Sequence, residues 1–336
     1  MKPFKIAMLQ CEHDKRDECH SYHYAPFVDG CDPMVLKEVW PTSYQFHTDL
    51  NHPNEFANVE KVDGFEIVSV WDIQSTERAE TFSRYVDRQP RVCASMDEAI
   101  EGVDGVFLAD GGGDGSEHRL WVEPILRKRI PIFVDKPFAS KFEDASEMVI
   151  LAEELDTPIF TASILSYVDE IDYFKAQWQR IDAPGQAVIK SVGPSNGAVI
   201  HGLALMQGLF GRGVEWVECM GDMPREIMHI HYQNGLQVIL LNTAYATFDW
   251  FSCEVWSRTQ RTNPPKKMYA RSETIGDPEY LSGTLKIVRL FRQMLETGQP
   301  PVPYEDALEC VALLDAGLRA HETRQRVFLK DVMTLS

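Results

Sequence analysis

Through the first half of the chain, short β-rich apolar runs alternate with segments of helical character, and this alternation constrains the fold more than any other feature. The runs FKIAML, FEIVSVWD, GVFLAD and IPIFVDKP are separated by STERAETFSRYVDR, SMDEAIEG and EHRLWVEPILRKR. Strand and helix in turn predict βαβ units and a parallel sheet. DASEMVILAEEL sets Ala145, Met148, Val149, Ala152 and Leu155 on one helical face, as expected of a helix packed on that sheet, and TPIFTAS supplies one more apolar strand.

Beyond about Tyr167 the character changes. EIMHIHYQNGLQVILLNTAYATFDWFSCEVW carries Asn234-Gly235 between two β-rich runs, a strong hairpin signal, and alternating aromatics follow it. This predicts an open, mainly antiparallel sheet with a helical layer on one face and an apolar outer face available to another subunit. The tail from Pro278 reads as two amphipathic helices separated by a Gly-Pro turn. The expected division is residues 1–137 and 138–336. At 336 residues there is room for both domains, and 44% hydrophobic with 25% charged residues is an ordinary globular composition. A formal net charge of -18 argues against nucleic acid or an anionic membrane surface as the main partner. No run approaches the length of a membrane span, and MKPFKIAMLQCEHD has too short an apolar part for a signal peptide, so a cytoplasmic location is expected. Seven scattered cysteines are expected to be reduced thiols.

The segment RIPIFVDKPFAS delivers Asp135, Lys136 and Pro137 to the end of a buried strand. Proline cannot continue a ladder and biases the preceding lysine toward an extended conformation, so Lys136 is held at a strand tip, where open α/β sheets place their ligands. Cys11, His13, Cys19, His20 and His23 form a thiol and imidazole cluster near the N-terminus. Four of them are enough for tetrahedral zinc, but their spacing fits no common zinc pattern, and the lining of a polar site is the better account, so no metal is expected. His229 and His231 share a strand face at period two, read as a half-solvated sheet face rather than a metal site.

VSVWDIQSTERAETFSRY, DGVFLADGGGDGSEHRLW, PIFVDKPFASKFEDASEMVILAEE and GQPPVPYEDALECVALLDAG follow one another in an order and spacing that resembles the Gfo/Idh/MocA oxidoreductase family. The resemblance implies an N-terminal Rossmann domain and a C-terminal α/β domain built on the open sheet. It also implies NAD(P)-dependent hydride transfer on a sugar, polyol or related hydroxy compound. Lys136 then hydrogen-bonds the reacting oxygen and stabilises the developing alkoxide, with Asp135 at the family's glutamate position keeping it charged or aiming it. His201 falls where the family carries a histidine at a helix start, suited to act as general base; the family's aspartate four residues earlier is replaced by Gly197, with Ser195 and Asn196 beside it. The implied cofactor set is Gln10, Asp72, Asp110, Gly111, Gly112, His118, Asp135 and Lys136. The implied substrate set is His20, His23, Lys136, Asn196 and His201. Asp72, ending the second strand, is suited to ribose hydroxyls or to capping the next helix; the first use favours NAD over NADP.

The departure from the family is at the first βα turn. No glycine occurs before Gly30, and Glu12 falls where the second glycine of a dinucleotide fingerprint belongs, with Lys15 and Arg16 close behind to compensate its charge and His20 or His23 placed to face the phosphates or the substrate. Two function classes therefore stand: an NAD-dependent dehydrogenase using Lys136 and His201, and a non-redox nucleotide- or sugar-binding regulator or scaffold of the same fold. The expected partners are a small-molecule substrate and a second copy of the chain, as a homodimer or homotetramer.

Overall fold

In a computed structural model, Ile6, Ala7, Met8 and Leu9 are fully buried in the first strand, because a parallel strand in mid-sheet is covered on both faces. The structure describes residues 2–11, 20–39, 60–176, 183–192, 199–223, 225–243, 251–258, 270–275 and 278–334. The expected roles of Glu12, His13, Lys15, Arg16, Cys19, Ser195, Asn196 and Gly197, and residues 244–250 of the aromatic stretch, lie outside the described residues.

The first part of the chain runs β1 (Phe4–Gln10), α1 (Ser21–Val28), α2 (Pro33–Val39), β2 (Phe65–Asp72), α3 (Thr76–Tyr85), β3 (Arg91–Val92), α4 (Met96–Ala99), β4 (Gly105–Ala109), α5 (His118–Arg127), β5 (Ile132–Val134), α6 (Phe142–Glu154) and β6 (Ile159–Thr161). The six strands form one parallel sheet in the order β3-β2-β1-β4-β5-β6. The order reverses between β1 and β4, which opens a crevice outside their carboxyl ends, the place where doubly wound sheets bind ligands. Ala145, Met148, Val149 and Ala152 of α6 are buried, as the helical spacing requires.

There follow α7 (Asp169–Ala176), β7 (Pro184–Val192), α8 (Val199–Phe210), β8 (Val214–Met220), β9 (Ile227–Tyr232), β10 (Gln237–Thr243), β11 (Phe251–Ser257), β12 (Ala270–Ile275), α9 (Pro278–Thr297), α10 (Tyr304–Thr323), β13 (Val327–Phe328) and α11 (Leu329–Val332). A second sheet has the order β12-β11-β7-β10-β9-β8-β13, antiparallel throughout except for the parallel β7/β10 pair. The Asn234-Gly235 turn joins β9 to β10. Gly235 takes φ +84, and Asn234 Oδ1 accepts the Leu236 N–H at 2.9 Å. Met228, Ile230, Val238 and Leu240 alternate onto the buried face, in one core with Leu203, Met206 and Leu209 of α8 and Leu313 of α10. On the opposite face, half-buried His231 stacks on Trp216 with ring centroids 4.8 Å apart, and His229 meets Glu218 at 3.6 Å.

The chain divides into two compact units. The first comprises Met1–Ala139, Ser146–Ala162 and Leu281–Tyr304; the second comprises Ser140–Ala145, Ser163–Tyr280 and Glu305–Ser336. The first unit thus reaches past residue 137, because β6 completes its sheet and α9 returns to it. Phe291 of α9 is fully buried, 4.5 Å from the Phe107 ring and 6.0 Å from that of Phe65. Gly105 allows this approach: a Cβ there would stand 3.0 Å from the Phe291 ring. Among the described residues no helix is long and apolar enough to cross a membrane.

Candidate functional site

Parallel register brings the strand ends of the first unit into one rim. Gln10 is opposite Asp72 on β2 and Ala109 on β4, and Asp135 N–H donates to Leu108 O at 3.0 Å, so Asp72, Gln10, Asp110 and Asp135 follow one another along the carboxyl edge. All four are buried, and polar side chains at such depth need partners.

Asp135 has three. Its Oδ1 accepts the Lys136 N–H at 2.8 Å, and its Oδ2 accepts His20 Nδ1–H at 2.7 Å and the Asp110 N–H at 3.2 Å. Burial pushes this carboxyl up, but the charge and hydrogen bond of His20, then Lys136, outweigh it and hold Asp135 at about 2. The carboxylate is fully buried, while the His20 side chain that covers it keeps 20% exposure. Behind it the fully buried Tyr24 is pushed well above the usual phenol range, by burial and then by the charge of Asp135. His23 packs edge-on to His20 at 5.4 Å.

Lys136 is buried to 8% exposure and donates from Nζ to Gly111 O at 3.0 Å. Its peptide bond to Pro137 is cis. The glycine loop that receives it is tied down by a second imidazole: His118, fully buried, places Nε2 3.0 Å from Asp110 Oδ2 and Nδ1 3.2 Å from Phe138 O. Asp110 Oδ1 accepts the Gly113 N–H at 3.0 Å. Gly112 is exposed beside them. At Gly115, φ is +77 and a Cβ would stand 2.6 Å from Pro137 O, so the loop lies directly on the Lys136-Pro137 segment.

Asp72 accepts three hydrogen bonds. Oδ1 accepts the N–H groups of Gln74 at 2.8 Å and Ser75 at 3.0 Å, and Oδ2 accepts Arg78 Nε–H at 3.1 Å. The cap of α3 is Ser75, whose hydroxyl accepts the Arg78 N–H at 3.2 Å. Gln10 Nε2 donates to Ser21 Oγ at 2.7 Å, and its Oε1, buried, has no hydrogen-bond partner. Gln10, Tyr22, Val39, Glu77, Arg78 and Thr81 line a cavity of about 320 Å³ at this end of the sheet.

His201 lies in the second unit, in the first turn of α8, with Nδ1 3.0 Å from Ser163 Oγ and its ring 6.1 Å from Phe251. The structure thus gathers Gln10, His20, His23, Asp72, Asp110, Gly111, Gly112, His118, Asp135 and Lys136 on the first unit, and His201 on the second. Three partners were not foreseen from sequence: Arg78, Tyr24 and Ser163. Arg78 had a readable signal, six residues after a strand-end acid and in the first turn of the next helix. Tyr24 and Ser163 had none, since their partners are remote in sequence. Of the thiol and imidazole cluster, Cys11 is buried at the end of β1, while His20 and His23 turn toward Asp135 and each other. Among the described residues no group of three or more His, Cys, Asp or Glu is arranged to hold a metal.

Residues 43–163 match the family model described as "Oxidoreductase family, NAD-binding Rossmann fold" of Gfo/Idh/MocA. No curated protein matches the sequence. Among solved structures, a myo-inositol dehydrogenase from Lactobacillus casei in complex with NAD(H) and myo-inositol superposes with TM-score 0.69 at 16% identity, over 97% of this chain and 96% of that one. An oxidoreductase from Agrobacterium radiobacter in complex with NAD+, L-tartaric acid and magnesium gives TM-score 0.69 at 15% identity, over 98% and 99%. A myo-inositol dehydrogenase from Corynebacterium glutamicum gives 0.68 at 16%, over 97% and 99%. At these identities the likeness is one of fold, and it spans both units.

Proposed function

We propose that this chain, whose Rossmann portion is that of the Gfo/Idh/MocA oxidoreductase family, binds NAD and transfers hydride between it and a hydroxyl-bearing carbon of a sugar, polyol or related compound. The observation that carries the reading is Lys136: an ammonium held at a strand tip beside the topological switch point, aimed by Gly111 O and backed by a buried, ionised Asp135. The residues fit the cofactor at its adenosine end, where the orphaned Gln10 Oε1 asks for a donor beside the cavity at the end of β1, such as a ribose hydroxyl. When bound, the nicotinamide supplies the hydride acceptor or donor. Lys136 hydrogen-bonds the substrate oxygen and stabilises its negative charge as the C–H bond is broken. His201, beside Ser163 in the first turn of α8, takes the hydroxyl proton as general base. Asp110 and His118 hold the glycine loop that positions Lys136.

A second reading, a non-redox nucleotide- or sugar-binding regulator, draws support from two features. The stretch between Gln10 and His20 contains no glycine, and the Asp72 carboxylate already accepts from Arg78 and two N–H groups. Titration with NADH, followed by energy transfer from tryptophan, separates the two. Trp71, at the end of β2, and Trp121 stand 5.8 Å apart in the first unit and serve as donors. Saturable transfer at micromolar to millimolar NADH, followed by NAD reduction with one of a panel of polyols and sugars, is expected. Saturable NADH binding with no turnover on any hydroxy compound transfers the assignment to the regulator reading; no NADH binding at all removes the dehydrogenase reading outright.

A further inference from the structure

The helix-covered face of the second sheet is apolar along most of its length, as Ile189, Met228 and Leu240 show. Ser191 of β7, Asn242 of β10 and Glu226 just before β9 break that pattern. Each lies two residues from one of those three apolar positions, so all share the covered face. Ser191 and Asn242 are register partners, and the Asn242 N–H donates to Glu226 O at 3.0 Å, which sets the three in one row across adjacent strands. Their exposures are 0%, 3% and 0% for Ser191, Asn242 and Glu226. We propose that this row binds a monovalent cation of the sodium or potassium type, seated beneath the helix turn that carries His201.

Every member of the row carries a buried oxygen with no hydrogen-bond partner: Ser191 Oγ, Asn242 Oδ1 and Glu226 Oε2. Asn242 Nδ2–H donates to Glu226 Oε1 at 3.2 Å, which leaves Oδ1 as the unpartnered end of the amide. Three orphaned oxygens on adjacent strands mark the place of one guest that all of them can bind. The carboxylate decides what that guest is. Ionised at zero exposure, Glu226 needs positive charge beside it. Arg324 acts with Glu226 on the buried Cys219, but its guanidinium is turned to Gly221 O at 3.1 Å and to Asp222 at 3.9 Å. Protonation is no substitute, since an Oε2–H would itself lack an acceptor. Carboxylate, amide and hydroxyl oxygens are the ligands that hard cations take. One carboxylate balances one positive charge, whereas a divalent ion would leave net charge in the core.

The row also bears on α8. A Cβ at Gly202 would stand 2.6 Å from Ser191 Cβ and 2.7 Å from Ser191 Oγ, so the first turn of the helix rests directly on this serine. Thr243 Oγ1–H donates to Ser191 O at 3.1 Å and holds the strand from the other side. Gly202 adjoins His201, and an ion that fixes the Ser191 hydroxyl therefore steadies the turn that aims the imidazole. The ion site stands on its own oxygens; only its effect on His201 rests on the dehydrogenase reading.

The test is thermal unfolding of the full chain, followed by circular dichroism, in potassium, sodium and choline chloride at equal ionic strength. An ion bound to the native state raises stability with its concentration, so Tm is expected to climb in potassium or sodium chloride and not in choline chloride, whose cation is too large for the row. Glu226→Gln should remove the difference between salts. Ser191→Ala, the gentler variant in case the first fails to fold, should raise the half-saturating ion concentration about tenfold, the equivalent of one lost ligand. Crystals grown in rubidium chloride should show an anomalous peak between Glu226 Oε2, Asn242 Oδ1 and Ser191 Oγ. Equal unfolding in all three salts with no such peak means ordered water only and overturns the ion site, as does a salt preference that both variants retain. In turnover assays kcat should be several-fold higher in the preferred ion than in choline, with KM for NAD little changed. A kcat indifferent to the salt overturns the effect on His201 and leaves the ion site and the dehydrogenase reading in place; no turnover in any salt counts against the dehydrogenase reading and leaves the ion site standing.

Discussion

Replacing Asp135 by asparagine tests the electrostatics of the site through stability alone. The Asp135 carboxyl sits at about 2 against 3.8 for the free side chain, so at 1.36 kcal/mol per pH unit its ionised form stabilises the native state by about 2 kcal/mol at neutral pH. A depressed acid contributes fully above its unfolded value and loses that contribution as pH falls from about 4 toward 2. Asparagine also offers one acceptor oxygen where the carboxylate offers two. The N–H donors of Lys136, His20 and Asp110 cannot all be satisfied, which adds about 1 kcal/mol. Asp135→Asn is therefore expected to lower stability by about 3 kcal/mol at pH 7. The difference from wild type should shrink by about 1 kcal/mol at pH 3, where roughly half of the charge contribution remains. Urea unfolding monitored by tryptophan fluorescence at pH 7, 5 and 3 measures it. A loss under 1 kcal/mol at pH 7, or a difference that grows toward pH 3, would refute the argument that a buried, ionised Asp135 anchors the rim.

Lys136→Met should leave the fold and most NADH affinity intact while lowering turnover by roughly two or more orders of magnitude, and retained turnover would end its assignment to the reacting oxygen. His201→Asn should lose activity at neutral pH and recover part of it at high pH, where hydroxide removes the proton; a uniform loss at every pH argues for a structural role instead. Gly115→Ala should cost about 2 to 3 kcal/mol in urea unfolding, since alanine pays for a left-handed φ and its methyl meets Pro137 O; a neutral effect would mean that the glycine loop is free to move off the Lys136-Pro137 segment. Light scattering at micromolar concentration should report a dimer or tetramer formed through the outer face of the second sheet, and a monomer mass would count against it.

The parallel sheet was legible because strands buried on both faces, such as GVFLA, are apolar at every position and here alternate with helical segments. The β9/β10 hairpin was legible because Asn-Gly meets the backbone demand of its turn. Helix α1 was not, since SYHYAPFV carries aromatics, His23 and Pro26 without helical periodicity and is helical because it is packed between strands and neighbours, with seven of its residues buried. The amphipathic pattern of α9 showed a helix with one apolar face, yet nothing in it says that the face belongs to Phe65 and Phe107 more than 180 residues earlier. Lys136 was readable at the site because Lys-Pro interrupts a strand. The His20–Asp135 pair, 115 residues apart, and the Ser163–His201 pair, 38 apart, were not, because contacts across a fold leave no mark on local spacing.

The return of α9 to the first sheet sets an order on synthesis. A ribosome that has released residue 162 has made all six strands, but Ile287, Val288, Phe291 and Met294, all fully buried, do not yet exist. At 5 to 20 residues per second, reaching Tyr304 takes on the order of ten seconds more. During that time the rings of Phe65 and Phe107 have Phe4, Tyr24 and Phe133 beside them but lack Phe291, which leaves apolar surface for any chaperone to hold, and the nascent sheet waits for a helix encoded well downstream. A fragment cut at residue 162 keeps every strand of that sheet and should still behave as an aggregation-prone intermediate, whereas joining residues 281–304 to it through a flexible linker should restore a closed core.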